Sequence, residues 1–72
     1  MNASIEQASA EIMHMFKFFY RGEWAPGNIF DGKSRIWINV FNDLVKKGFI
    51  ERKKTQLGFQ YRWKAAWPEG LN

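Results

Sequence analysis

Phe41-Asn42-Asp43-Leu44-Val45-Lys46-Lys47-Gly48-Phe49-Ile50 is the stretch on which the reading of this 72-residue chain turns. Its first half continues a helical period, because Trp37, Val40, Phe41 and Leu44 recur at steps of three and four and share one arc. Gly48 ends the run, since glycine takes the left-handed backbone that closes a helix without a Cβ clash. Phe49 and Ile50 are apolar and begin a different pattern. The stretch therefore predicts a helix over 34–47 that halts sharply and hands the chain to a strand. On the side of that helix facing away from the apolar arc, Arg35, Asn39, Asn42 and Lys46 are spaced four, three and four apart and project together.

Towards the C-terminus the period becomes two, with Phe59, Tyr61 and Trp63 on one side of a strand and Gln60, Arg62 and Lys64 on the other. The segment from Phe49 to Lys53 is the expected partner strand. Between them Lys54-Thr55-Gln56-Leu57-Gly58 reads as a hairpin loop, with Gly58 where a positive φ is needed. Arg52, Lys53 and Lys54 then lie on the approach to the hairpin tip. Residues 65–72 have no period and are expected to be irregular, with Trp67 folding back on the core.

Towards the N-terminus, Ile5, Ala8, Ile12, Met15, Phe16 and Phe19 fall on one arc and predict an amphipathic helix over 5–20. Ser4 with Gln7 resembles a capping box, and Gly22 suits a C-terminal stop. From Glu23 to Gly32 the chain is dense in turn residues and leaves room for a helix of one or two turns, opened by Pro26 at its first position. No repeat, linker or low-complexity tract divides the chain. One domain over 1–72 is expected, with its core in 5–64.

Composition narrows the function classes. Hydrophobic residues make up 46% of the chain, and 7 Phe, 4 Trp and 2 Tyr supply enough ring area for a short chain to form a core. With no cysteine there is neither a disulfide framework nor a thiolate zinc site. No apolar run reaches the roughly 20 residues that span a bilayer, and the first residues lack the basic-then-apolar order of a signal peptide. The expectation is a cytoplasmic chain with no membrane role. The net charge of +4 is uneven: residues 1–31 sum to −2, whereas residues 32–64 carry nine Lys/Arg against Asp43 and Glu51 and sum to +7. That asymmetry points to an anionic partner met by one part of the surface, DNA being the commonest, with a solvated basic face as the ordinary alternative.

The order of helix, short helix, helix and basic hairpin, with Phe41 to Ile50 as its strongest local match, resembles the winged helix-turn-helix superfamily over roughly residues 5–64. In that family a lysine-rich helix end runs into Gly and two apolar residues, because the recognition helix must stop abruptly and the apolar pair must enter the core. The resemblance implies an α+β fold of three helices followed by a two-stranded antiparallel β-hairpin wing. It also implies a sequence-specific binder of double-stranded DNA, a small transcriptional regulator, with helix 34–47 in the major groove. Carried over by residue, Arg35, Asn39 and Asn42 would read bases, while Lys33, Ser34, Lys46, Arg52, Lys53, Lys54 and Arg62 would meet phosphates. Arg and Asn suit the edges of guanine and adenine, which supports the assignment independently. A homodimer on a palindromic site fits the same reading, since one helix reads only a few base pairs. One departure stands out, because Pro26 to Lys33 shows only Ile29, Phe30 and a Gly32 turn where the family has an apolar second helix. The alternative is a winged helix that binds protein, a partner or its own copy, through exposed aromatics.

A rival motif is present: Gly27-Asn28-Ile29-Phe30-Asp31-Gly32-Lys33-Ser34 matches the phosphate-loop pattern in full. That loop works after a buried strand in a parallel sheet, and Tyr20 to Pro26 does not read as one, so no small-molecule substrate is expected. His14 has no second histidine or cysteine to share a metal and no evident nucleophile to activate. The carboxylates show no pairing pattern, so neither catalysis nor a cofactor is expected. Trp37, Phe41 and the Phe59, Tyr61, Trp63 row could stack bases, but rings at core-like spacing are ordinarily core.

Overall fold

A computed structural model describes residues 4–67. Helix α1 covers Ile5–His14 and α2 covers Arg35–Lys46, and strands β1, Ile50–Thr55, and β2, Gly58–Trp63, pair antiparallel. The α+β class and the antiparallel hairpin agree with the sequence, but the described residues hold two α-helices where three were expected.

The expected second helix is a 3₁₀ turn of four residues, Gly27–Phe30. Its flanks explain the shortening. Ala25 precedes a proline, which drives it to extended backbone, and it pairs with Tyr61 across the outer edge of β2: Ala25 N donates to Tyr61 O at 2.6 Å, and Tyr61 N to Ala25 O at 3.0 Å. Pro26 is extended as well, at φ −70° and ψ 160°, and so stands before the turn, not at its first position. Gly27 passes so close to β2 that a Cβ there would lie 2.6 Å from the carbonyl oxygen of Phe59. The chain is thus tied to the sheet until Gly27, and only the residues up to Phe30 are left to coil.

Helix α1 has the expected capping box, in which Ser4 Oγ accepts from Gln7 N at 3.0 Å and Gln7 Oε1 accepts from Ser4 N at 3.1 Å. Beyond His14 the helix continues as a π turn, Met15–Tyr20, and closes at Arg21, which itself takes the left-handed conformation at φ 52° one residue before Gly22. The buried positions Ala8, Ile12 and Phe16 are four apart, and each such step overshoots the face of an ideal α-helix by about 40°. A π turn takes in more residues and reverses that drift. Tyr20 consequently returns to the core, 6.1 Å from the Phe16 ring, while Phe19 is turned out to 76% exposure. Phe19, expected on the buried arc, is outside it, and so is Ile5 at 69% exposure.

Helix α2 lies within one residue of its expected bounds. Ser34 Oγ accepts from Trp37 N at 3.2 Å to cap its start, and Gly48 at φ 86° follows its end. Trp37, Phe41 and Leu44 are buried as expected and Val40 half-buried. Phe41 is the hub of the core, with the rings of Phe30, Tyr61, Trp37 and Phe16 at 4.7, 5.0, 5.3 and 6.0 Å. Ile50 and Trp63 close it from the sheet.

The hairpin is tighter than expected. Pairing runs through Thr55 and Gly58, so the loop is Gln56 and Leu57 alone and Lys54 belongs to β1. Thr55 makes this possible, since its Oγ1 donates to Gly58 O at 2.8 Å and accepts from Leu57 N at 3.2 Å, while Gly58 takes φ 126°. Trp67 folds back as expected, stacked on Trp63 at 4.7 Å and 7°. Residues 65–67 lie outside any helix or strand, as expected, and the rest of the expected tail, 68–72, lies outside the described residues.

Candidate nucleic-acid interface

The stripe expected on α2 is present. Arg35, Asn39, Asn42 and Lys46 are all exposed on the side opposite Trp37, Phe41 and Leu44, and none of them contributes to the core. Beside it Asn39 also lines a hollow of about 270 Å³ with Ile5, Ile36, Val40 and Asp43. Asp43, the acid among the described residues that line it, is engaged by Lys47 at 2.9 Å. At the start of the helix Ser34 is exposed, but its oxygen already accepts from Trp37 N, and Lys33 Nζ lies 5.2 Å from the Trp37 ring.

Strand alternation divides the hairpin cations into two sets. Arg52 and Lys54 share a face with Ile50, Phe59, Tyr61 and Trp63, the face packed on the helices; Lys53 shares the outer face with Glu51, Gln60 and Arg62. The four cations expected to act together therefore point in two directions. On the inner face the Arg52 guanidinium lies 4.5 Å from the Phe59 ring. On the outer face Lys53 Nζ and Arg62 Cζ lie 4.4 and 4.5 Å from the centre of one ring, that of Trp24, and Arg62 is ion-paired with Glu51, its Nε donating at 2.6 Å.

Trp24 was not among the expected site residues. The Ala25–Tyr61 pair carries it onto this face, opposite Arg62. The signal for it was Pro26, which demands extended backbone just before it and so a strand position in a stretch that otherwise reads as turn.

The stretch that matches a phosphate loop turns three of its amides inward. Ile29 N, Asp31 N and Lys33 N donate to Pro26, Asn28 and Phe30 carbonyls at 3.4, 3.0 and 3.0 Å, so these donors are turned to the chain's own backbone. Among the described residues no set of three or more His, Cys, Asp or Glu is grouped to hold a metal, and no helix is long and apolar enough to cross a membrane.

The geometry defines a small α+β domain that displays a polar helix face and a basic hairpin. Comparison with protein-family models, with curated proteins and with solved structures gives no match for this chain.

Proposed function

We propose that this chain is a sequence-specific duplex-DNA-binding domain of the winged helix-turn-helix kind, a small transcriptional regulator, in which α2 enters the major groove and the hairpin holds the backbone. One observation carries the reading: Arg35, Asn39, Asn42 and Lys46 form an exposed stripe that the core does not require. An α-helix of about 10–12 Å diameter fits a major groove about 12 Å wide. Arg35 and Asn39 then offer paired hydrogen bonds to guanine and adenine edges, with Asn42 beside them and Lys46 and Lys33 near phosphates. Ser34 contributes by fixing the start of the helix.

Selection from a random duplex library, followed by titration of the selected and a scrambled duplex, tests this. Asn39→Ala or Arg35→Ala should cost about 1–3 kcal/mol on the selected site and much less on the scrambled one. Enrichment of no sequence, or equal losses on both duplexes, rejects base reading by α2.

A protein-binding reading is favoured by the apolar hollow beside Asn39, where Ile5 is 69% and Ile36 36% exposed. It differs in salt response: an apolar interface holds as salt rises, while duplex binding weakens steeply. A second copy seated there would give a homodimer that sedimentation detects.

A further inference from the structure

The outer face of the sheet holds a cluster that base reading by α2 does not use. Lys53 and Arg62 sit diagonally on paired strands and converge on the Trp24 ring, with Glu51 against Arg62. We propose that this face is a preformed phosphate site, in which Lys53 and Arg62 together receive one phosphodiester, Trp24 positions both, and Glu51 is the resident counter-ion that the phosphate displaces. The duplex as the source of that phosphate rests on the reading above.

Three features favour the outer face. An aromatic face attracts a cation without cancelling its charge, so Lys53 is held in place and keeps its full charge for an anion. Two long side chains are thereby ordered before the ligand arrives, which removes part of the entropic cost of binding. Diagonal neighbours on paired strands are about 7–8 Å apart at the backbone, within reach of long side chains, so Lys53 and Arg62 can turn to one phosphate. Arg62 offers the remaining edge of its guanidinium, and gains the rest when Glu51 yields. On the inner face Arg52 has the Phe59 ring beneath it, but among the described residues no ring lies under Lys54. Trp24 is thus a positioning residue and not itself a phosphate ligand.

The experiment measures duplex affinity against salt for the parent and single variants, and follows the Trp24 indole N–H by NMR during titration with inorganic phosphate and, separately, with duplex. Lys53→Ala and Arg62→Ala should each lower the salt slope by about one, more than Arg52→Ala or Lys54→Ala does. Glu51→Gln should bind more tightly than the parent. Trp24→Leu should weaken binding although every cation remains, and Trp24→Phe, which keeps a ring, should recover most of the loss. Lys53 is exposed, so its variant tests the site without disturbing the core. A larger slope change at Arg52 and Lys54, or a Trp24→Leu protein equal to the parent, overturns the proposal. If duplex is not bound while phosphate still shifts the Trp24 signal and Lys53→Ala abolishes the shift, the DNA reading falls and the site stands. Duplex binding with a static Trp24 signal in both titrations leaves the DNA reading and removes the site.

Discussion

Gly27 occupies a place where no side chain fits, because the obstacle 2.6 Å from its missing Cβ is backbone, the Phe59 carbonyl, and not the yielding end of a side chain. Gly27→Ala should therefore push the 3₁₀ turn off β2 and destabilise the domain by about 1–3 kcal/mol, read from urea unfolding. An alanine variant as stable as the parent would mean that the two segments do not approach so closely. Arg21 presents the opposite case. It is in the left-handed conformation at φ 52°, which costs a residue with a Cβ about 1–2 kcal/mol, and glycine is free of that strain. Against this stand glycine's greater freedom when unfolded and the loss of the long 3.4 Å contact from Arg21 Nε to Phe18 O. The balance predicts that Arg21→Gly raises stability by up to about 1 kcal/mol in the same assay. Neither residue was legible in these terms. Gly27 looked like the first glycine of a phosphate loop, because a pattern of residue types does not encode which backbone passes nearby.

Elements with a long apolar period were legible and those set by contacts between segments were not. Helix α2 carries its own signals, Ser34 to start and Gly48 to stop, and it lies within one residue of expectation. Ser34→Ala removes the acceptor for Trp37 N and should cost about 1 kcal/mol through fraying of the first turn, measured by amide exchange there. The segment from Trp24 to Phe30 has no period of its own. Its extended start is fixed by β2 and its 3₁₀ turn by what remains, so residue order alone suggested a helix. The hairpin fell between these cases. Alternation placed Tyr61 and Trp63 inside, yet the hydroxyl of Thr55 shortened the loop and moved Lys54 into the strand. The same alternation separated Arg52 and Lys54 from Lys53 and Arg62, which a run of adjacent basic letters does not announce.

In the whole molecule one ring joins every layer, since Phe41 touches rings from the α1 extension, the 3₁₀ turn, its own helix and β2. Phe41→Ala should cost about 3–5 kcal/mol. A 72-residue domain has a total of only about 4–11 kcal/mol, so thermal unfolding of the variant should begin near ambient temperature. The longest extent, 37 Å, is close to one turn of duplex at roughly 34–36 Å. Under the DNA reading, one molecule with its cations spread over a helix and two sheet faces can meet only some of the phosphates in that turn. The logarithm of affinity should then fall linearly with the logarithm of salt, by a slope reflecting about three to six phosphates, and a flat response would contradict the reading.

The π turn at Met15–Tyr20 also sets where the chain can change length. A single residue removed from a regular helix rotates everything beyond it by about 100° and drags the buried face into water. Within this turn there is one residue to spare. Deleting Phe19, which is 76% exposed, lets the segment relax to an ordinary α-helix while Tyr20 stays over the core, so the shortened chain should fold and keep its cooperative transition. Deleting Asn42 from α2 would instead swing Leu44 away from its buried position. Insertions and deletions among related chains should accordingly gather at this one turn of the first helix and spare the second.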